Sequence, residues 1–143
     1  MLGLQRAIDA VPTLIGVLDA DLVVTVRGYA ARALGQIGDP RAVDPLIRSA
    51  RADPENAGVV AAALGELGDP AAVEALTSLA TDQHHDVATA AATSLTRCGD
   101  RGFAALRSLQ TEGGPAADHA VAALARAELS RRGALGHEPD PRS

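Results

Sequence analysis

Aromatic side chains are nearly missing from this chain of 143 residues, which has no tryptophan, one tyrosine and one phenylalanine. Proteins that bind single-stranded nucleic acids stack the bases on aromatic rings, so the composition argues against that class of ligand. The formal net charge of −5 has the same implication, because phosphate binding needs a basic surface. We therefore expect no nucleic-acid partner.

Cysteine and long apolar runs are scarce as well. The single cysteine, Cys98, cannot form an internal disulfide and gives no sign of an oxidising compartment. No run approaches the roughly 20 apolar residues of a membrane-spanning helix. Residues 1–9 lack the basic and then apolar pattern of a signal peptide. These observations predict a cytoplasmic protein with no membrane partner.

Alanine, leucine and valine supply most of the hydrophobic residues, which make up 47% of the chain. Alanine and leucine are among the best helix formers, so this bias predicts packed α-helices rather than a sheet. Small side chains also let neighbouring helices approach closely. The length fits a single domain.

An eleven-residue segment recurs thirty residues along the chain. The sequence ALGQIGDPRAV at 33–43 returns as ALGELGDPAAV at 63–73, and a degraded third copy covers 94–103. Leu124 begins a fourth copy that stops before its turn. Repeats of this length are typical of solenoids, in which each unit packs only against its neighbours.

The Gly-Asp-Pro triplet inside the repeat has the chemistry of a tight corner between two helices. Gly38 suits the left-handed backbone that follows a helix end. Asp39 suits the N-cap of the next helix, and Pro40 suits its first position, where no N–H is needed. The second copy repeats these three residues, and in the third copy Asp100 is the predicted N-cap.

These signals predict eight helices, over residues 10–18, 24–37, 41–52, 54–67, 71–81, 86–98, 101–110 and 116–131. Pro45 predicts a short turn at the start of the third helix, with regular helix resuming near Val43. Residues 132–143 are rich in glycine, proline and charge, which predicts a disordered tail. The folded domain is therefore expected to span residues 1–131.

The period, the Leu-Gly-x-x-Gly-Asp-Pro corner and the following Ala-Val-x-x-Leu resemble HEAT-like repeats of the phycobilisome-lyase type, over roughly residues 7–109. The resemblance implies an all-α fold, an α-α superhelix built as a short HEAT-like solenoid of about three and a half helix pairs. Arg27 matches an arginine early in that family's first helix, but Ala57 and Ala88 replace it in later copies. An arginine–aspartate ladder along the stack should therefore be mostly missing.

Solenoids of this kind usually hold their partner on a concave face lined by the second helix of each pair. The residues predicted to face outward there, and hence to bind a partner, are Arg41, Asp44, Arg48, Arg51, Glu74, Arg101 and Arg107. Arginines on such a face suit an acidic peptide segment. The alternative is that these charges only solvate a helix surface.

The terminal helices form a second candidate surface, because each lacks the other member of its pair. The last helix would leave an apolar stripe of Val121, Leu124 and Leu129 without a neighbour. A protein partner or a second copy of the chain, giving a homodimer, would cover the stripe. The tail could also fold over it, or it could remain as a small alanine-rich surface.

Residues that could carry chemistry do not form a convincing site. His84, His85 and Asp86 are adjacent, so on a helix their side chains diverge by about 100°, and no histidine follows at the next turn. Cys98 takes the place of Ile37 and Leu67 in the other copies, which predicts a small core residue. We predict no metal, no cofactor and no catalytic residue.

The sequence thus predicts a non-catalytic scaffold or adaptor that binds another protein through the concave face or the terminal helices. The alternative is a bilin-lyase-like enzyme, or an accessory subunit of an enzyme complex. That alternative depends only on the resemblance of the repeats, which build a fold and do not define an activity.

Overall fold

A computed structural model describes the backbone of residues 2–135 and the side chains of residues 5–133. The described chain contains eight α-helices and no strand. The helices are α1 (Leu2–Ala20), α2 (Val24–Ile37), α3 (Val43–Ala52), α4 (Ala57–Leu67), α5 (Val73–Leu79), α6 (His85–Leu95), α7 (Gly99–Glu112) and α8 (Pro115–Leu135). Short 3₁₀ helices at Pro40–Ala42, Pro54–Asn56 and Pro70–Ala72 precede α3, α4 and α5.

The helices form two layers. Layer A contains α2, α4, α6 and α8, and each packs against the next; layer B contains α1, α3, α5 and α7 in the same order. Across the two layers, α1 packs against α2, α3 against α4, α5 against α6 and α7 against α8. The predicted all-α solenoid is confirmed, with three complete pairs between α1 and α8. None of the described helices combines the length and the apolar character needed to span a bilayer.

The first two Gly-Asp-Pro corners have the predicted geometry. Gly38 and Gly68 have φ angles of 75° and 63°. The Asp39 carboxylate accepts the Arg41 backbone N–H at 2.9 Å, and Asp69 accepts the N–H of Ala71 at 2.8 Å. Each aspartate therefore satisfies a backbone donor that the start of a helix leaves free.

The prolines of these corners begin a 3₁₀ turn, and regular α-helix follows it. The α-helix starts at Val43 in the first corner, so Pro45 lies in the first turn of α3, where its missing N–H costs no helical hydrogen bond. This confirms the predicted turn.

The third corner differs from its prediction. Gly99 has the expected left-handed φ of 71°, but α7 begins at Gly99 and α6 ends at Leu95 rather than at residue 98. Asp100 lies inside the first turn of α7 and is not its N-cap. Arg101 stands where the other copies have proline, so the 3₁₀ turn that separates the cap from the helix is absent here.

The first and last helices are longer than predicted. Helix α1 starts at Leu2 and contains Pro12, which cannot donate to the Ile8 carbonyl. The guanidinium of Arg41 donates to that carbonyl instead, at 3.2 Å. Helix α8 continues to Leu135, so residues 132–135 of the predicted tail are helical; residues 136–143 lie outside the described chain.

The buried core residues recur with the period of the sequence repeat. Six fully buried leucines occupy equivalent positions, three in each layer: Leu34, Leu64 and Leu95 in layer A, and Leu46, Leu76 and Leu106 in layer B. Cys98 is 1% exposed, which confirms that it is a core residue, and burial raises the pKa of its thiol.

Glycines allow the helices of layer A to approach closely. A Cβ at Gly35 would lie 2.9 Å from the Ala63 Cα, and one at Gly65 would lie 3.0 Å from the Ser94 Cα. The Ser94 hydroxyl donates to the Ala61 carbonyl at 2.8 Å, which joins α6 to α4. The small side chains of the repeat therefore set the spacing between neighbouring pairs.

Two glycine substitutions should change stability in opposite directions. Gly35→Ala should lower the free energy of unfolding by about 1–3 kcal/mol, because backbone atoms of α4 block the new methyl group. Gly58→Ala should raise it by about 0.5–1 kcal/mol, because the nearest atom is a Val87 methyl group 3.9 Å away and alanine favours helix. Urea denaturation of both variants measures the two effects. Equal stabilities would show that the glycine contact does not set the helix spacing.

Candidate partner-binding surface

Three of the predicted partner-binding residues form one stripe on α3. Asp44, Arg48 and Arg51 are exposed, and their spacing of four and three residues places them on the same side of the helix. Helix α3 belongs to layer B, whose helices were predicted to line the concave face. The structure therefore brings these three residues together.

Arg41 has a structural role that the sequence did not reveal. Its guanidinium pairs with the Asp39 carboxylate at 2.8 Å and also bonds to the free carbonyl of Ile8. The hydrogen bond from Arg41 lowers the pKa of Asp39, and Asp39 raises that of Arg41. A partner that took over these donors of Arg41 would disturb the contact between α1 and the first corner.

Arg48 and Arg51 are less constrained. Arg48 is 61% exposed and lies 3.5 Å from the Asp19 carboxylate, a loose contact. Arg51 makes no ion pair with any side chain between residues 5 and 133. Both guanidinium groups keep donors that an external carboxylate can use.

A groove between α3 and α5 brings Arg51 and Glu74 together. It has a volume of about 200 Å³ and is lined by Ala50, Arg51, Glu74, Ala75, Ser78 and Leu79. The groove opens between neighbouring pairs of the stack. Arg51 and Glu74 come from different repeats, so only the tertiary structure shows that they share a groove.

The next groove, between α5 and α7, has acidic rather than basic groups. It measures about 500 Å³, and its charged residues are Glu74 and Glu112, with Thr77 and Ser108 among the polar residues. Layer B is therefore not uniformly basic. The groove between α3 and α5 contains one basic and one acidic residue, whereas both charged residues of the α5–α7 groove are acidic.

Arg107 lies in a third groove, between α7 and α8, apart from the α3 arginines. This groove of about 580 Å³ also contains Asp100, Phe103, Leu124, Glu128 and Arg131. Arg101 is exposed in the first turn of α7. The sequence analysis placed Arg107 on one surface with Arg48, but the glutamate-lined groove lies between them.

The apolar stripe predicted on the last helix is divided by the structure. Val121 and Leu129 are 45% and 67% exposed, and they flank exposed Ala125 at intervals of four residues. Leu124 is partly buried and packs against the core, because at about 100° per residue it lies on the opposite side of Val121 from Ala125. The exposed stripe of α8 is therefore Val121, Ala125 and Leu129.

One rung of an arginine–aspartate ladder is present. The Arg27 Nε donates to the Asp53 carboxylate at 2.8 Å, and its Nη1 donates to the Asp21 carbonyl at 2.7 Å. The Asn56 amide donates to Asp53 and to the Val24 carbonyl, both at 2.9 Å. The hydrogen bond from Arg27 is the main cause of the lowered pKa of Asp53, and the same bond raises that of Arg27.

The next loop has the aspartate without an arginine. Asp82 accepts the backbone N–H of His84 and contacts its Nδ1, each at 2.8 Å, and these two contacts lower the pKa of Asp82. The partner of Asp82 therefore comes from its own loop. This agrees with the expectation that the ladder is mostly missing.

His85 has a neighbour that sequence spacing did not reveal. Its ring centroid lies 4.8 Å from that of His119 on α8, and the His119 Nδ1 is 3.4 Å from the Thr89 hydroxyl. Residues 85 and 119 are far apart in the chain, so no local pattern could reveal the pair. Within the described residues, no group of three histidine, cysteine or acidic side chains could hold a metal ion.

Two layers of paired helices with glycine-containing corners define the chain as an α-solenoid. Comparison with family models agrees: residues 26–51 match the PBS lyase HEAT-like repeat, and residues 49–134 match HEAT repeats. The second match covers more than half of the chain, which therefore belongs to the HEAT repeat family. No curated protein shows significant similarity to it.

The Arg27–Asp53 pair should make stability depend on pH. Because the pKa of Asp53 is lowered in the folded state, its contribution is complete above the unfolded value of about 3.9 and is lost as the pH falls through the folded value. Asp53→Asn should lower the melting temperature by several degrees at pH 7, and its difference from wild type should shrink below about pH 4.

Asp44→Asn is the matched control, since Asp44 is exposed on α3, and it should change the melting temperature little. Thermal melts at pH 7, 5 and 3 test the pair. An Asp53→Asn variant whose deficit stays constant down to pH 3 would show that the ion pair is not the source of the effect.

Proposed function

We propose that this chain is a non-catalytic scaffold that binds an extended segment of another protein along α3 and the two grooves beside α5. HEAT repeats generally act as surfaces for protein interaction, and the family match supports this class of function. The segment would lie across the helices of layer B.

The observation that carries this proposal is that Arg48 and Arg51 are exposed and lack a close acidic partner among the described residues. They point from the same side of α3 and are exposed, and neither is held by a short ion pair. Arginine forks of this kind bind carboxylates through two parallel hydrogen bonds. Acidic residues of the partner would therefore contact α3.

The difference in charge between the arginines of α3 and the α5–α7 groove gives the partner segment a direction. Glu74 and Glu112 line the α5–α7 groove, which favours basic or polar side chains there. A segment with acidic residues at one end and basic residues at the other would match the surface, and the reverse order would place like charges together.

The bilin-lyase-like alternative has weaker support. The match to the PBS lyase HEAT-like repeat covers residues 26–51, a stretch that includes one corner and most of α2 and α3. Such a repeat builds the layers whatever the activity. A coloured tetrapyrrole that copurifies with the protein would favour this alternative, and the scaffold proposal predicts a colourless preparation.

Selection of peptides from a random library tests the scaffold proposal without a known partner. Selected peptides should be enriched in aspartate and glutamate, and their affinity should fall as salt rises. Arg48→Glu/Arg51→Glu should weaken binding at least tenfold, because two attractive contacts become repulsive. Binding is measured by fluorescence anisotropy.

The matched control is Arg32→Glu/Arg126→Glu, which makes the same charge change at two exposed arginines of layer A. It should keep most of the affinity. Equal losses in the two double variants would mean that net charge alone drives binding, and the assigned surface would then be wrong.

A second copy of the chain is the candidate occupant of the exposed α8 stripe. The proposal is supported by the exposure of Val121 and Leu129, since apolar side chains aligned on one side of a helix favour helix-to-helix association.

Light scattering over a concentration range should show a dimer that Leu129→Glu dissociates. Leu22→Glu, at a side chain that is 95% exposed elsewhere, should leave the dimer intact. A monomer at every concentration would exclude self-association through this stripe.

A further inference from the structure

The helices of layer A contact each other through the same positions of the repeat at successive steps. Gly35 of α2 faces Ala63 of α4, and Gly65 of α4 faces Ser94 of α6. The two glycines occupy one position of the repeat, and Ala63 and Ser94 occupy another. A layer A helix therefore has a forward face, towards the next helix, and a rear face, towards the previous one.

The exposed stripe of α8 lies on the forward face of that helix. Ala31, Ala61 and Ala92 share one position of the forward face and are 0%, 0% and 1% exposed, because the next helix covers each of them. The equivalent residue of α8 is Val121, which is 45% exposed. Ala125 is equivalent to the glycines of the internal contacts and is also exposed. The stripe is therefore the surface that a further layer A helix would cover.

The rear face of α2 is exposed at the other end of layer A. Asn56 and Ala63 contact α2 from α4 and the turn before it, and they are 7% and 2% exposed. Their equivalents on α2 are Val26, which is 37% exposed, and Ala33, which is half-buried. Tyr29 lies between these two and is 65% exposed. We call Val26, Tyr29 and Ala33 the α2 stripe, since their spacing places them on one side of the helix.

The exposed large apolar side chains of the described chain are confined to these two ends. They are Leu22, Val23, Val26 and Tyr29 in or just before α2, and Val121 and Leu129 on α8. A contact between two α8 helices would leave the α2 stripe uncovered. A contact between α8 of one copy and α2 of another covers both stripes, including the only tyrosine of the chain, a residue type that is enriched in the centres of interfaces.

The α8 and α2 stripes also match in register. In the internal contacts, a residue of the forward face lies opposite the repeat position two residues before its own. The same rule places Ala125 opposite Ala33 of a second copy, and Val121 opposite Tyr29. Two alanines need a wider spacing than glycine and alanine. The step from α6 to α8 already lacks the glycine, because Thr96 occupies its position.

We propose that the α8 stripe of one copy stacks on the α2 stripe of a second copy, so that layer A continues from one molecule into the next. This inference depends on the self-association proposed above for the α8 stripe, and it names the surface of the second copy that takes part. Helix α1 packs against α2 as α7 packs against α8, so layer B can continue alongside. Because the two contacting surfaces differ, the assembly is head-to-tail: a dimer forms first, and longer oligomers follow at higher concentration.

Two variants, each of which blocks one end, test the direction of the contact. Val121→Glu puts a charge on the α8 stripe, and Tyr29→Glu puts one on the α2 stripe. Each variant alone should stay monomeric in light scattering at concentrations where wild type self-associates, because burying an unpaired carboxylate opposes association. An equimolar mixture should form a dimer that grows no further, since one intact stripe of each kind remains.

Leu22→Glu is the matched control at the α2 end of the molecule. Leu22 lines the cavity beside the end of α3, which is on the forward side of the α1–α2 connection and away from the α2 stripe. This variant should self-associate as wild type does. Circular dichroism and thermal melts of all three variants show that they remain folded.

The outcomes separate this inference from the self-association on which it depends. If Tyr29→Glu alone still forms a dimer and Val121→Glu does not, two α8 helices meet each other; the head-to-tail contact is then wrong, while self-association through α8 stands. A mixture of the two variants that stays monomeric would also overturn the head-to-tail contact. A wild-type protein that is monomeric at every concentration would remove both proposals.

Discussion

The close approach of the layer A helices is the constraint on which the rest of this structure depends. Gly35 faces Ala63 and Gly65 faces Ser94 so closely that neither glycine has room for a methyl group. Helices α3 and α5 of layer B contain no glycine, and a groove of about 200 Å³ lies between them. Grooves nevertheless open on both layers, since one of about 360 Å³ on layer A is lined by residues of α2, α4 and α6.

Several polar residues that the other copies lack lie near the first pair. Arg27 and Asn56 bond to Asp53, and Ser49 introduces a hydroxyl where the other copies have leucine. Regular positions of a repeat maintain the stack, so an irregular polar residue next to them needs its own physical reason. Arg27 has one in the bonds it makes to two loops. The Ser49 hydroxyl is buried and has no hydrogen-bond partner among the described residues.

Some arginines of layer B are held by hydrogen bonds within the fold, and others keep donors that a partner could use. Arg41 satisfies a carbonyl that Pro12 leaves free in α1, so a residue that looks like a surface arginine in the sequence helps to hold α1 in place. Arg48 and Arg51 have no comparable role. The distinction matters for function, because an arginine with satisfied hydrogen bonds has little to gain from a partner's carboxylate.

The sequence by itself determined the class of fold, the helix order, the first two corners and the buried place of Cys98. These features depend on local chemistry: glycine adopts a left-handed backbone, aspartate caps a helix, proline starts one, and leucines recur with the repeat. The tertiary structure alone decided that Arg107 lies apart from Arg51, that Leu124 packs inward, and that His85 meets His119. Those relations depend on which helices pack together and at what spacing. No local pattern in the chain encodes that packing.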